Sequence, residues 1–68
     1  MDVTINGTPR KVTGEPTVAQ LLEQLQVPTT QGGIAVCVNG EVVRRADWEQ
    51  ILLNAADEIE IVQATQGG

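Results

Sequence analysis

Four places in the chain hold atoms that could make bonds or steer charge: Cys37, the acidic run around Asp57, Glu58 and Glu60, the pair Arg44-Arg45, and the closing stretch Ala64-Thr65-Gln66-Gly67-Gly68. Cys37 is the only cysteine and there is no histidine, so neither an internal disulfide nor a zinc or iron–sulfur ligand set is expected. Within "IAVCVNG" the thiol has the surroundings of a small buried hydrophobe. Thiolate chemistry would require a positive neighbourhood, and Arg44 and Arg45 across the following turn are the nearest basic residues in sequence. Glu58 and Glu60 alternate with Ile59 and Ile61, the pattern of a strand's solvated face. The competing reading is a docking surface that steers a basic partner. No second acid is fixed opposite them, so a catalytic carboxylate pair is not supported. Gly32-Gly33 lacks the strand before it and the helix after it that a phosphate-cradling loop needs.

The closing glycines are different. Glycine loses more freedom on ordering than any other residue, which makes it a poor anchor for a terminus. Gly67 and Gly68 have no side chains and would thread a narrow channel, with Gln66 just ahead of them. Five extended residues span at most ~17 Å, enough to bring the Gly68 carboxylate into another protein's site. A frayed end is the alternative. A division follows: residues 1–63 as a folded domain and 64–68 as a flexible tail.

The elements that must hold out this tail are legible from periodicity. "DVTIN" alternates with Val3 and Ile5 on one side, Asn6-Gly7 is a strong hairpin signal, and "RKVT" is read as the return strand with Val12 inward. Thr17 with Gln20 forms a capping box, and Pro16 is placed to staple against Leu21. Val18, Leu21, Leu22 and Leu25 make one helical stripe, which Pro28 ends near Gln26. "IAVCV" suits a strand covered on both faces, with Ile34, Val36 and Val38 on one side and Ala35 and Cys37 on the other. Asn39-Gly40 signals a second hairpin into "EVVR". "RADWEQILLN" is ambiguous and is read as one or two helical turns that tuck Trp48, Ile51 and Leu52 against an open side of the core, and "DEIEIVQA" is a last strand. The order β-β-α-β-β-turn-β predicts a two-layer α+β domain: a β-grasp, with a mixed sheet of about five strands and one main helix on one face. If Ala35, Cys37 and Val62 lie on the sheet face away from the helix, flanked by Glu58 and Glu60, that face is the expected docking surface.

Composition narrows the function classes. The chain has 68 residues, 41% hydrophobic, with a net charge of −5 and Trp48 as its single aromatic. Negative charge and missing stacking platforms oppose nucleic-acid binding. The sequence has neither an apolar run of membrane-spanning length nor a signal-peptide pattern, so a cytoplasmic protein, monomeric when free, is expected.

Taken in order, "VTINGTPRKV", "TVAQLLEQL", "IAVCVNGEVVRRADW", "DEIEIV" and the terminal Gly67-Gly68 resemble the ThiS family, the sulfur carriers of thiamine biosynthesis, over essentially the whole length. The resemblance implies the ubiquitin-like β-grasp fold shared with the small subunit of molybdopterin synthase. It also implies a carrier that is not itself an enzyme and binds no cofactor. An E1-like, ThiF-like adenylyltransferase using ATP and magnesium would activate the Gly68 carboxylate. A persulfide donor would supply sulfur, and a ThiG-like thiazole synthase would accept it from the thiocarboxylate. The alternatives are the molybdopterin synthase small subunit, carriers for cysteine synthesis or tRNA thiolation, a ubiquitin-like modifier, and a plain binding module. Two positions depart from the family pattern. Ala56 stands where a glycine is usual, so this turn is expected to avoid positive φ, and Gln66 stands where a small residue is common.

Overall fold

The computed structural model describes residues 1–29 and 32–63. Five strands and one helix follow the expected order: β1 (Asp2–Ile5), β2 (Thr8–Lys11), α1 (Val18–Gln24), β3 (Ile34–Val38), β4 (Glu41–Val43) and β5 (Glu58–Gln63), with a 3₁₀ turn at Arg45–Asp47. The sheet order is β2-β1-β5-β3-β4. β1 and β5 run parallel, and the β1–β2, β3–β4 and β3–β5 pairs are antiparallel. This is the mixed sheet of a β-grasp, with the last strand at its centre.

Both Asn-Gly pairs form tight turns with positive φ at each residue: 50° and 82° at Asn6-Gly7, 52° and 84° at Asn39-Gly40. That is the type I′ signature whose twist matches the flanking strands. A two-residue turn sets the register at once, with Ile5 opposite Thr8 and Val38 opposite Glu41. The return strand therefore covers Thr8–Lys11, earlier than "RKVT", and Val12 is buried just beyond it. Pro9 is accommodated because β2 is an edge strand.

The α1 stripe meets one sheet face. Val18, Leu21 and Leu22 pack with Val3, Ile5, Val12, Val36, Trp48, Leu53 and Ile59 in a single buried cluster. The capping box forms as read: Gln20 N–H donates to Thr17 Oγ1 at 3.2 Å, and Thr17 N–H donates to Gln20 Oε1 at 2.9 Å. The helix closes at Gln24, slightly before the expected end. Gln26 sits in the left-handed region at φ 59°, and its N–H bonds Glu23 while Val27 N–H reaches back to Leu22. These two bonds define a Schellman closure, which usually places glycine at the left-handed position.

Three expectations are corrected. Ile51 and Leu52 do not tuck into the core: they are 38% and 61% exposed, and Leu53 is buried in their place. The expected helical turn forms at Arg45–Asp47, but the chain is extended at Leu52 and Leu53. Leu52 bridges Thr17, and Leu53 N–H donates to the Pro16 carbonyl at 2.9 Å, so Leu52 points to solvent and Leu53 to the core on opposite sides of an extended backbone. Ala56 does adopt positive φ, at 70°. Its N–H donates to Asp2 O at 2.7 Å and the Asp57 carboxylate accepts from Asn54 N–H at 2.8 Å, so the turn is held despite the unfavourable side chain. Finally, β3 is covered on one face only, since Ala35 is exposed and Cys37 half-buried.

Left-handed conformation costs a non-glycine residue about 1–2 kcal/mol, while glycine returns part of that through its freer unfolded state. Gln26→Gly and Ala56→Gly are each expected to stabilise the fold by about 0.5–1 kcal/mol in urea titrations, and by a near-additive sum together because their turns are separate.

Candidate functional site

Pairing register places the predicted docking residues together. Ala35 stands opposite Val62, and Cys37 stands opposite Glu60 on one side and Val42 on the other. Residues directly opposite in register share a face. Helix-facing Val36 and Ile59 alternate with these residues, so Ala35, Cys37, Val42, Glu60 and Val62 all look away from α1. Glu58 joins this face from the start of β5, level with Thr4. The result is an uncovered sheet face with an aliphatic strip, where Val42 is 71% and Val62 59% exposed, bounded by the carboxylates of Glu58 and Glu60. Sequence reasoning grouped Ala35, Cys37, Val62, Glu58 and Glu60 but missed Val42. The alternation of "EVVR" carried the signal, because an inward Val43 requires an outward Val42.

Cys37 is thus a half-buried member of the open face rather than part of the helix-side core. Arg44 and Arg45 are engaged elsewhere. Arg44 Nε lies 3.6 Å from Asp47, an exposed pair of small energetic value. Arg45 donates to the Thr29 carbonyl, and its guanidinium lies 4.7 Å from the Trp48 ring centroid. Trp48 is the core lid that the sequence suggested, and its indole N–H donates to Val43 O at 3.0 Å.

The open face leads to the point where the last strand ends. β5 closes at Gln63, paired with Ile34 on the β3 side. On its other side β1 stops after Ile5, opposite Ile59. Beyond that point the Asn6 side chain takes over: Nδ2 donates to Ile61 O at 3.1 Å, and Oδ1 accepts from Ile61 N–H at 2.8 Å. Asn39 plays a similar part at the start of β5, with Oδ1 accepting from Glu58 N–H at 3.0 Å and Nδ2 donating to Asp57 Oδ1 at 3.1 Å. The sequence showed these asparagines as turn residues only. Gln66, Gly67 and Gly68 lie outside the described residues.

Among the described residues no cluster of three or more His, Cys, Asp or Glu side chains is placed to hold a metal ion, and no helix is long and apolar enough to cross a membrane. The arrangement offers an apolar face with an acidic margin, and a central strand pinned on both sides immediately before the chain's last residues.

A five-stranded mixed sheet, one helix across one face, and a central C-terminal strand define a ubiquitin-like β-grasp protein. The ThiS family model matches residues 3–68. Over all 68 residues the chain is 32% identical to the sulfur carrier protein ThiS of Escherichia coli, covering the whole of both. It is also similar to a crystal structure of the thiamine biosynthesis protein ThiS from Geobacter metallireducens, with TM-score 0.83, 31% identity and full coverage of both chains. A solution structure from that organism gives TM-score 0.82 at 31% identity, covering all of this chain and 88% of the other. The chain belongs to the ThiS family of sulfur carriers. A thiazole synthase of Paramagnetospirillum magneticum matches at 35% identity over the full 68 residues, and there the chain spans only 20% of that protein.

Proposed function

We propose that this chain carries sulfur on the carboxylate of Gly68 and delivers it to a thiazole synthase in thiamine biosynthesis. The observation that carries the reading is a family match that runs through Gly67 and Gly68 to the last residue. The chemistry explains the division of labour. An α-carboxyl with an ordinary pKa near ~3.5 is ionised at neutral pH, and an anionic carboxylate resists nucleophiles. One Gly68 oxygen attacks the α-phosphorus of ATP and pyrophosphate leaves. A persulfide sulfur then attacks the carbonyl carbon and AMP leaves with the electron pair. A thiol opens the resulting S–S bond, and the carboxylate has exchanged one oxygen for sulfur. ATP and magnesium belong to the E1-like, ThiF-like adenylyltransferase, which makes this chain a co-substrate and not an enzyme.

The match to a segment of a thiazole synthase supports that acceptor, because joining donor and acceptor in one chain raises their effective concentration. Intact-mass measurement tests the reading. After incubation with the adenylyltransferase, ATP, magnesium, a persulfide donor and a thiol, the chain is expected to gain the mass of sulfur in place of oxygen. Branched Gln-Gly-Gly remnants on lysines of other proteins would instead indicate a modifier.

The open face is the proposed contact for the adenylyltransferase, with Ala35, Cys37, Val42 and Val62 supplying apolar area and Glu58 and Glu60 supplying charge. Rim charges act mainly on association rate. Glu60→Lys is expected to slow adenylation roughly tenfold at low salt and to flatten its salt dependence, since steering contributes about 10- to 10³-fold to association. Equal rates for both proteins at low ionic strength would place the contact elsewhere.

A further inference from the structure

We infer that Asn6 is a positioning residue for sulfur loading, fixing the end of β5 from which the Gly68 carboxylate is presented; the inference rests on the carrier reading above. β1 is in register with β5 only at Glu58 and Ile59, so residues from Glu60 onward have no β1 residue beside them. Asn6 extends the ladder by other means. Its own N–H donates to Ile59 O at 2.9 Å, and its carboxamide then supplies an acceptor and a donor to both backbone groups of Ile61. A side chain thereby imitates the next residue of a strand that has already turned away. An edge that would otherwise be open to strand addition is closed up to Ile61.

Among the described residues this clamp is the furthest hydrogen bond along β5 on that side, two positions before Gln63. Its location distinguishes it from the Asn39 clamp, which has similar chemistry but grips the first residue of β5. Asn39 grips the first residue of β5 and Asn6 its fourth, so of the two asparagines Asn6 holds the part nearer the reactive terminus. Adenylation requires the carboxylate to be in line with a phosphorus atom, and a misplacement of ~1 Å can cost ~10²-fold in rate. A strand end held by β3 alone gives a wider spread of exit directions.

Glycine serves well in a type I′ turn, so Asn6→Gly removes the clamp and keeps the hairpin. ATP–pyrophosphate exchange by the adenylyltransferase would be measured against carrier concentration, with amide exchange followed at Ile61. Asn6→Gly is expected to speed exchange at Ile61 and lower kcat by ~10-fold, with KM within ~2-fold, because the docking face is untouched. Asn6→Asp keeps the turn and the acceptor for Ile61 N–H, and is expected to lose less. Asn39→Gly is the matched control: it loses two similar bonds, yet kcat is expected to stay at the wild-type value. The inference is overturned by wild-type kcat in Asn6→Gly, by unaltered exchange at Ile61, or by an equal kcat loss in Asn39→Gly. If the wild-type chain itself supports no exchange, the carrier reading falls and this inference with it; a loaded wild type beside an unaffected Asn6→Gly removes this inference alone.

Discussion

Deleting Gly67 and Gly68 is expected to abolish sulfur loading and leave the melting midpoint unchanged. Every residue of the buried cluster lies from Val3 to Ile59, so the deletion removes none of them. The shortened chain still ends in a carboxylate, now on Gln66. It fails for reasons of reach and width. Two residues shorten the extended span by ~7 Å, far more than the tolerance of a displacement at phosphorus. In the proposed mechanism the new terminal residue would also bring a long amide side chain into the narrow channel meant for glycines. Intact-mass spectra after incubation with the adenylyltransferase, ATP and sulfur donor would show complete conversion of the wild type and none of the variant. Thermal melts of both proteins would coincide. A truncated chain that still gained sulfur would show that the reacting carbon lies elsewhere.

Much of this molecule is written in short-range signals. The two Asn-Gly turns, the Thr17–Gln20 capping box, the Val18-Leu21-Leu22 stripe and the alternation of β5 each depend on residues within a few positions of one another, and all formed as expected. What escaped the sequence is set by partners distant in the chain. Asn6 bonds Ile61 across 55 positions, and a turn signal gives no hint of this second use. The choice of Leu53 over Leu52 for burial depends on a bridge to Thr17, which forces an extended path where local periodicity suggested a helical one. Positive φ at Ala56 is imposed by Asp2, Asn54 and Asp57 acting together against the preference of the residue itself. The aliphatic run of β3 resembled a doubly covered strand because composition cannot separate a second protein layer from a face left open to a partner. That last difference concerns function. The same excess of apolar residues that made β3 look buried is what makes its outer face suited to docking.

Leu21→Ala is expected to remove most of the domain's stability. Leu21 is fully buried at the centre of α1, between Val18 and Leu22 on the stripe that faces the sheet. Truncating a buried leucine costs about 2–5 kcal/mol, because the lost transfer energy is joined by a cavity that the surroundings only partly fill. A domain of this size holds only about 3–10 kcal/mol in total. The loss therefore takes the variant close to its unfolding midpoint even without denaturant. Trp48 reports the transition directly: it is the single aromatic residue and is buried in the same cluster, so its fluorescence follows core opening in urea. Leu52→Ala is the informative contrast. Its side chain is 61% exposed, and its removal is expected to change stability by no more than about 0.5 kcal/mol. A helical course through residues 51–53 would reverse the pattern and make Leu52 costly, so the pair tests the extended segment as well as the core. Sulfur loading separates stability from chemistry in the same proteins. No core residue touches the reacting carboxylate in the proposed mechanism, so Leu21→Ala should load at the wild-type rate per folded molecule, and its apparent rate should fall only in proportion to the folded fraction read from Trp48. A loading defect that exceeds this fraction would mean that packing of α1 reaches the end of β5 and helps to aim it.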